Sequence, residues 1–570
     1  MYIIVARSSS TTVTITEFGD DSLCFESEGV VTTMAEADFA AFVAERETEA
    51  PRWVWDDTAR WYARLLDAGV RVQRCHDLRL CHSILRHSEL TAATSFARAE
   101  PSRWDAPIVA DTVPPRHSTL FDLSGTEEQA VDDSLEEFGR QRAALAESAD
   151  SGRLRLLLAA ESVGALTAAE MRRAGLPWRS DVHDELLAEL LGPRVLHGTR
   201  PRRLEELVAL IRGALDDPRV NPDSQQDLLR SLTRTGLMVA STRAWELREI
   251  EHPVIEPLLE YKKLSRLLSA NGWAWMDAWI VDGRFHPDYV PGGVVTGRWA
   301  TSGGGALQLP KQVRAAVRPD PGWKLVVADA AQLEPRVLAG MAADTVMAAA
   351  GRGTDLYAGI VASGVVETRD HAKVAMLGAM YGATTGESGR LLPRLARAYP
   401  RAIHLVEAAA RAGERGESVS TRLGRSSPRP GGRWQEVQSR ASQPGASGSE
   451  EAKARSQARD WGRFTRNFVV QGSAAEWALC WMGELRKALT ALGSTGGSAA
   501  NASGPVFARV PHLVFFLHDE VIVHTPTEFA DAVAEAVVES ANAAGRLLFG
   551  EFPVDFPLGV AIVDSYADAK

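Results

Sequence analysis

The spacing of hydrophobic positions changes several times along this chain, and the changes divide it. Residues 1–30 carry short runs rich in Val, Ile and Thr, such as Thr11 to Thr16, which predict β-strands. From about 35 to 165 helical spacing dominates, as in 61–69 (WYARLLDAG) and 134–145 (SLEEFGRQRAAL). Amphipathic stretches continue through 181–217, and Asn221-Pro222-Asp223-Ser224 marks a turn ahead of a helix start. A long helical passage follows from about Pro253 to Asp277. Residues 291–310 are rich in Gly and predict loop and short strand. The apolar run Leu325 to Ala328 ends at Asp329, the pattern of a buried strand reaching a site. In 512–524 (HLVFFLHDEVIVH) two apolar runs flank His518-Asp519-Glu520, which predicts a hairpin with acids at its tip. The Ser, Gly, Arg and Pro content of 424–460 predicts a mobile insertion, with a smaller one at 493–504.

Length allows three or four domains in 570 residues. The net charge of −11 weighs against a nucleic-acid partner until its distribution is read. Residues 1–150 hold 27 acids against 14 Arg and no Lys, so the remaining 420 residues carry +2. A phosphate-binding face needs only local positive charge. The acidic end therefore reads as a separate module. Four cysteines in so long a chain point to a reducing compartment. With no leader-like start and no apolar span long enough for a bilayer, a cytoplasmic protein without membrane contact is expected.

The candidate chemistry is phosphoryl transfer. Transfer to a 3′ hydroxyl uses two divalent metals roughly 3.5–4 Å apart, and hard cations take carboxylate oxygens. Asp329 and Asp519, each ending a separate apolar strand, could form that clamp if the strands are neighbours. Either acid alone reads equally as a turn residue. Between them, Arg369, Lys373, Leu377 and Tyr381 recur every four residues and share one helical face. Two cations there suit a polyphosphate, with apolar and aromatic surface beyond, although a partly basic amphipathic helix is common. Cys75-His76 and Cys81-His82 do not have zinc spacing and read as core packing. Trp273, Trp275 and Trp279 read as core or interface rather than as base-stacking groups.

Three segments together resemble the polymerase motifs of the bacterial DNA polymerase I family (family A). They are Asp329-Ala330-Ala331-Gln332-Leu333-Glu334-Pro335-Arg336, Arg369 through Gly382, and His518-Asp519-Glu520. Three further stretches match in order over roughly 220–570. These are Thr296-Gly297-Arg298 with Leu307-Gln308-Leu309-Pro310, Arg463 with Asn467 and Gln471 to Glu476, and Tyr261 to Arg266. The resemblance implies an α+β multidomain fold, a right-hand polymerase preceded by an RNase H-like exonuclease-type domain. The expected layout is 1–180 exonuclease-like, 181–290 thumb, 291–345 palm, 346–480 fingers and 481–570 the second part of the palm.

By the same resemblance, Asp329, Asp519 and the Ala330 carbonyl would bind two Mg²⁺ ions, with Mn²⁺ as a substitute. Lys373 would hold triphosphate and protonate the leaving pyrophosphate. Arg369, Gln332, Glu334, Tyr357, Leu377 and Tyr381 would line the dNTP site, Glu334 excluding a 2′ hydroxyl. Arg298, Gln308, Arg463, Gln471, His518, Glu520, Lys262 and Arg266 would contact primer–template DNA. The implied protein is a monomeric DNA-dependent DNA polymerase acting in gap filling or repair.

Departures from the family pattern are Ala330-Ala331 for Tyr-Ser, Leu377 for an aromatic, Tyr357 for a His, and Pro335 for an aliphatic residue. They motivate one rival, a catalytically weak scaffold that grips primer–template. The N-terminal region lacks an Asp-x-Glu. Glu26-Ser27-Glu28, Asp56-Asp57, Asp77 and Asp132-Asp133 are the faint candidates, so a retained fold with a lost exonuclease site is expected; residual 3′–5′ activity is the alternative. No room for a 5′ nuclease domain is expected.

Overall fold

The first six-residue strand serves two partners. In the computed structural model, which describes residues 1–9, 11–19, 29–106, 133–196, 198–382 and 386–569, β1 (Tyr2–Arg7) runs antiparallel to β2 (Thr12–Phe18) and parallel to β4 (Arg52–Trp55). With β3 (Val30–Ala35) and β5 (Arg74–Asp77) the sheet order is β3-β2-β1-β4-β5. Ile3, Ile4 and Val5 are consecutive and all buried, as expected of a strand covered on both faces.

Within 35–165, expected as mainly helical, a strand interrupts the helices. α1 (Thr58–Asp67) stops before Gly69, whose φ of 79° suits glycine. Arg74–Asp77 then form β5, and α2 (Leu78–His87) starts at the Asp77 cap. Strands of four residues, such as 52–55 (RWVW) and 74–77 (RCHD), are too short for their period to stand out against flanking helices. Cys75 and Cys81 are both buried.

α3 (Ser134–Glu147) brings Phe138 into a core with Ile4, Val54, Leu78 and Trp104. α4 (Ser151–Ala174) packs on α1 and β5 and also on a helix from far along the chain, α9 (Gly448–Ala491). Residues Met1–Gly175 thus form one compact unit with Pro287–Gly303 and Pro321–Ile562. The acidic segment, expected as a separate module, is part of this larger unit.

The rest of this unit is a sheet and a helical cluster. β6 (Trp323–Ala330), β7 (His512–Leu517), β8 (Glu520–Pro526) and β9 (Leu558–Val563) lie in the order β7-β8-β6-β9. α5 (Leu333–Met341), α6 (Arg369–Tyr381) and α7 (Pro400–Glu414) enclose a core that includes Met347, Ile360, Met376 and Val406. Ala372, Ala375 and Ala379 on α6 are fully buried, small enough for close approach of neighbouring helices. α10 (Ala530–Phe549) packs on α9 and on the sheet.

Residues 424–460, expected as a loop insertion, are largely helical: α8 (Gly432–Ala441) and the first turns of α9. Composition hid a capping box at Ser447 and Glu450, which satisfies the helix's first donors.

The second unit comprises Leu176–His286, Gly304–Asp320 and Val563–Lys570. Its long helical passage is broken in two, Ile255–Asn271 and Trp273–Trp279, at Gly272. Trp273 and Trp275 are buried, and Trp275 lies 5.3 Å from Trp178 and 5.2 Å from Phe285 between ring centroids, so this pair packs a core. Among the described residues no helix is long and apolar enough to cross a membrane.

Candidate active site

The chain segments bearing Asp329 and Asp519 lie side by side because two strands are neighbours. β6 and β8 pair antiparallel with Asp329 opposite Glu520, and the Ala330 amide donates to the Asp519 carbonyl at 2.9 Å. The hairpin of β7 and β8 turns at His518, whose φ is 60°, and the Asp519 amide closes it on the Leu517 carbonyl at 2.8 Å. Every residue of β8 is buried, so the acids at its tip are carried on a strand with no freedom to slide. Among the described residues there is no cluster of three or more His, Cys, Asp or Glu side chains that could hold a metal. The Asp329 and Asp519 carboxylates with the Ala330 carbonyl would supply an all-oxygen donor set. It suits a hard cation that keeps water and substrate oxygens in its shell.

Glu334, on the first turn of α5, is the centre of the neighbouring polar cluster. Its two oxygens accept from Arg298 and from the Tyr381 hydroxyl. Gln471 also bonds that hydroxyl, which burial and then the Glu334 charge push up to about 12. His518 faces the same charges. Partial desolvation and Arg298 lower its pKa, while Glu334 opposes them. The Glu334 cluster thus joins the loop before β6, α5, α6 and α9.

The cationic face is built on α6. Arg369 is exposed, 2.8 Å from Asp355, and its guanidinium lies 5.5 Å from the Tyr357 ring centroid. Burial alone would raise the Asp355 pKa, yet bonds from Arg369 and the Ala358 amide hold it below the ordinary value. Lys373 is exposed one turn on. Tyr357 is buried, its hydroxyl pushed up to about 12 by burial. Leu377 packs partly buried against the helical core. Gly382 ends α6 with φ of 72°, and a Cβ there would stand 2.9 Å from Arg463 Cγ. Arg463 itself pairs with Asp460.

Sequence reasoning undervalued two side chains. Gln332, at the start of α5 with φ of 50°, bonds Asp355 at 3.0 Å and the Leu356 amide at 3.2 Å, so it ties Glu334's helix to Arg369's partner. Arg336, 2% exposed, donates to the carbonyls of Ala331 (3.1 Å), Gly351 (2.9 Å) and Thr354 (2.7 Å) and to the Asp555 carboxylate (2.7 Å). A single Arg in the otherwise apolar 335–340 stretch was the available signal.

Three expected contacts belong to the second unit. Gln308 lies in the turn Ala306–Gln308, its side chain outside the described residues. Lys262 spends its ammonium on the carbonyl and hydroxyl of Thr242, both at 2.5 Å, while Arg266 is exposed.

The faint exonuclease acids have other duties. Asp57 caps α1 and pairs with Arg79; Asp77 caps α2 and accepts from the Thr58 amide and hydroxyl; Asp56 accepts from Trp61; Asp133 pairs with Arg103. Glu26, Glu28 and Asp132 lie outside the described residues.

A family model described as DNA polymerase family A matches residues 201–566. The chain belongs to DNA polymerase family A. Among curated relatives, it is 24% identical over 361 residues to the thermostable DNA polymerase I of Thermus aquaticus, covering 58% of this chain and 38% of that one. It is 30% identical over 182 residues to DNA polymerase I of Chloroflexus aurantiacus, covering 29% and 19%. The chain therefore spans well under half the length of these family A relatives. A solved structure, the POL domain of Pol1 from M. smegmatis in complex with DNA primer-template and dNTP, matches with a TM-score of 0.66 at 17% identity, over 100% of this chain and 95% of that one. The fold is thus the α+β polymerase fold, as expected.

Proposed function

We propose that this chain is a template-directed DNA polymerase that adds dNMP to a primer 3′ end. The observation that carries the reading is the juxtaposition of Asp329 and Asp519 across the β6–β8 pair, locked by the 2.9 Å bond between Ala330 and Asp519. Asp329, Asp519 and the Ala330 carbonyl would hold two Mg²⁺, with Mn²⁺ as a substitute. When bound, these ions supply activation of the primer hydroxyl and neutralisation of the charge on the leaving group.

The chain's own residues orient the rest. In each turnover the primer 3′ oxygen forms a bond to the α-phosphorus and the bond to pyrophosphate breaks. Arg369 exchanges Asp355 for the triphosphate, and Lys373 protonates the pyrophosphate as it leaves. Glu334, oriented by Arg298 and Tyr381, stands under the incoming sugar and leaves no room for a 2′ hydroxyl. The work is positioning and charge stabilisation. By this reading 181–290 is the thumb, the β6–β9 sheet with α5 the palm, and 346–480, with α6, α7 and α8, the fingers. Primer–template DNA and dNTPs are the partners. The caps and ion pairs that occupy Asp57, Asp77 and Asp133 support an N-terminal domain without proofreading chemistry.

Primer extension on gapped DNA with Mg²⁺ and dNTPs tests this, with wild type beside Asp329→Ala and Asp519→Ala. Each substitution removes a metal-binding carboxylate, with a loss of at least about a thousandfold expected. A mispaired 3′ end incubated without dNTPs should stay intact. Shortening of that primer would overturn the view of the N-terminal domain. Absence of extension with Mg²⁺ and with Mn²⁺ would overturn the polymerase reading.

A further inference from the structure

Arg298 stands on a turn that is gripped from two sides. The turn closes through the Gly297 amide on the Val294 carbonyl (2.8 Å) and the Val294 amide on the Arg298 carbonyl (3.1 Å). Gly297 has φ of 84°, and a Cβ built there would stand 2.5 Å from Arg425 Nε, so the guanidinium fills the space a side chain would take on this turn. From the other side, a Cβ on Gly472 of α9 would lie 3.1 Å from the Thr296 carbonyl oxygen. Its neighbour Gln471 bonds the Tyr381 hydroxyl. Arg298 and Gln471 therefore converge on the Tyr381–Glu334 pair from supports that also touch each other.

Arg425 is itself anchored. Its Nη2 lies 2.6 Å from Glu161 Oε2, and the Glu161 side chain, at the middle of α4, is 1% exposed. The segment bearing Arg425 is fixed along its length. Arg153 of α4 donates to the carbonyls of Arg422 (2.6 Å) and Thr421 (3.0 Å). The Leu423 amide donates to Glu476 at 2.8 Å and the Arg422 amide to Ser473 at 2.8 Å. A buried charge pair of this kind keeps its geometry because either partner alone would be left uncompensated.

We propose that Glu161, acting through Arg425, is a positioning residue for Arg298, so that a helix of the N-terminal segment sets the geometry of nucleotide addition. This rests on the polymerase reading above. Glu161→Gln keeps the side-chain volume and removes the charge that holds Arg425, so Gly297 loses its support while the metal-binding acids are untouched.

The test is single-nucleotide incorporation with kcat and KM for dNTP measured separately, in wild type, Glu161→Gln, Arg298→Ala and the double variant. Glu161→Gln is expected to lower kcat about tenfold, since small misplacements at a reacting centre are costly, with primer–template Kd within about twofold of wild type. The double variant should be no slower than Arg298→Ala, because both changes disable one device. Losses that multiply, or a folded Glu161→Gln protein with wild-type kcat, would overturn the proposal. If Glu161→Gln fails to fold, Gly297→Ala pushes a methyl against Arg425 from the turn side, and the same non-multiplying behaviour with Arg298→Ala is required. Wild-type protein without incorporation overturns the polymerase reading, and the positioning role with it.

Discussion

Glu334 shows how one side chain can be held by its partners rather than by burial. Each of its oxygens has a separate donor, Arg298 on one and Tyr381 on the other. The tyrosine, with its pKa pushed up to about 12 by burial and by Glu334, stays a donor across any working pH. Removing that donor leaves one carboxylate oxygen unmatched and free to swing. Tyr381→Phe should therefore lower discrimination between dNTP and rNTP by about tenfold, and Glu334→Ala, which removes the obstacle outright, by about a hundredfold. The ratio of kcat/KM values for the two nucleotides is the measurement. An unchanged ratio in Tyr381→Phe would mean that Arg298 alone orients Glu334. The residues of this cluster were legible as motif members, but their mutual bonds were not. Arg298 and Glu334 are 36 positions apart, and no local period links them.

At the scale of elements, α9 carries a buried acid that makes part of the fold pH-sensitive. Glu476 accepts from Thr421 and from the Leu423 amide, and Arg425 and Arg153 are its nearby cations. Burial outweighs these and raises its pKa from 4.5 to about 7. The native state thus prefers the neutral acid. Stability from this site is complete below about pH 4.5 and is lost as pH rises through 7. Glu476→Gln fixes the neutral form, so its stability relative to wild type should grow between pH 5 and 8, by up to about 3 kcal/mol. Paired thermal melts at each pH would read it, and a constant difference would refute it. Elsewhere a helix break has no room for a side chain. A Cβ on Gly272 would lie 2.3 Å from the Leu268 carbonyl oxygen, so Gly272→Ala should cost about 1–3 kcal/mol in a denaturant titration. The helical passage around it was legible from its period, whereas the break was not, because glycine inside a helical pattern is ambiguous without knowing what approaches it. β6 and the β7–β8 hairpin were legible because apolar runs ended at acids. β4 and β5 were not, because their four residues carry no usable period.

Across the whole first unit, the decisive contacts join residues that no local pattern could pair. Glu170 of α4 accepts from the Tyr62 hydroxyl at 2.6 Å, from Arg71 at 3.0 Å and from Arg486 of α9 at 2.6 Å, and Arg486 also donates to the Gln73 carbonyl at 2.9 Å. A balance of −13 in residues 1–150 suggested a detached module, yet charge counting cannot see that Arg429 pairs with Glu89 or that Arg486 donates to the Gln73 carbonyl. Burial alone would raise the Glu170 pKa, but Arg486 and then Arg71 hold it at about 2. Stability from this site is therefore present above the ordinary value of 4.5 and is lost only as pH falls through 2. Arg486→Ala removes the stronger of the two cations and leaves Glu170 buried with Arg71 alone. The expected cost is about 3–5 kcal/mol at neutral pH. Glu170 should then titrate higher, so this site in the variant loses less stability on acidification than it does in wild type. The two readouts separate causes. Lost packing without lost charge coupling would lower stability equally at pH 7 and pH 4, whereas loss of the ion pair makes the deficit shrink as Glu170 becomes protonated in both native and unfolded variant. Hydrogen exchange should place the weakened protection at β5, α1 and the Arg486 turn of α9 together, since one buried network joins them.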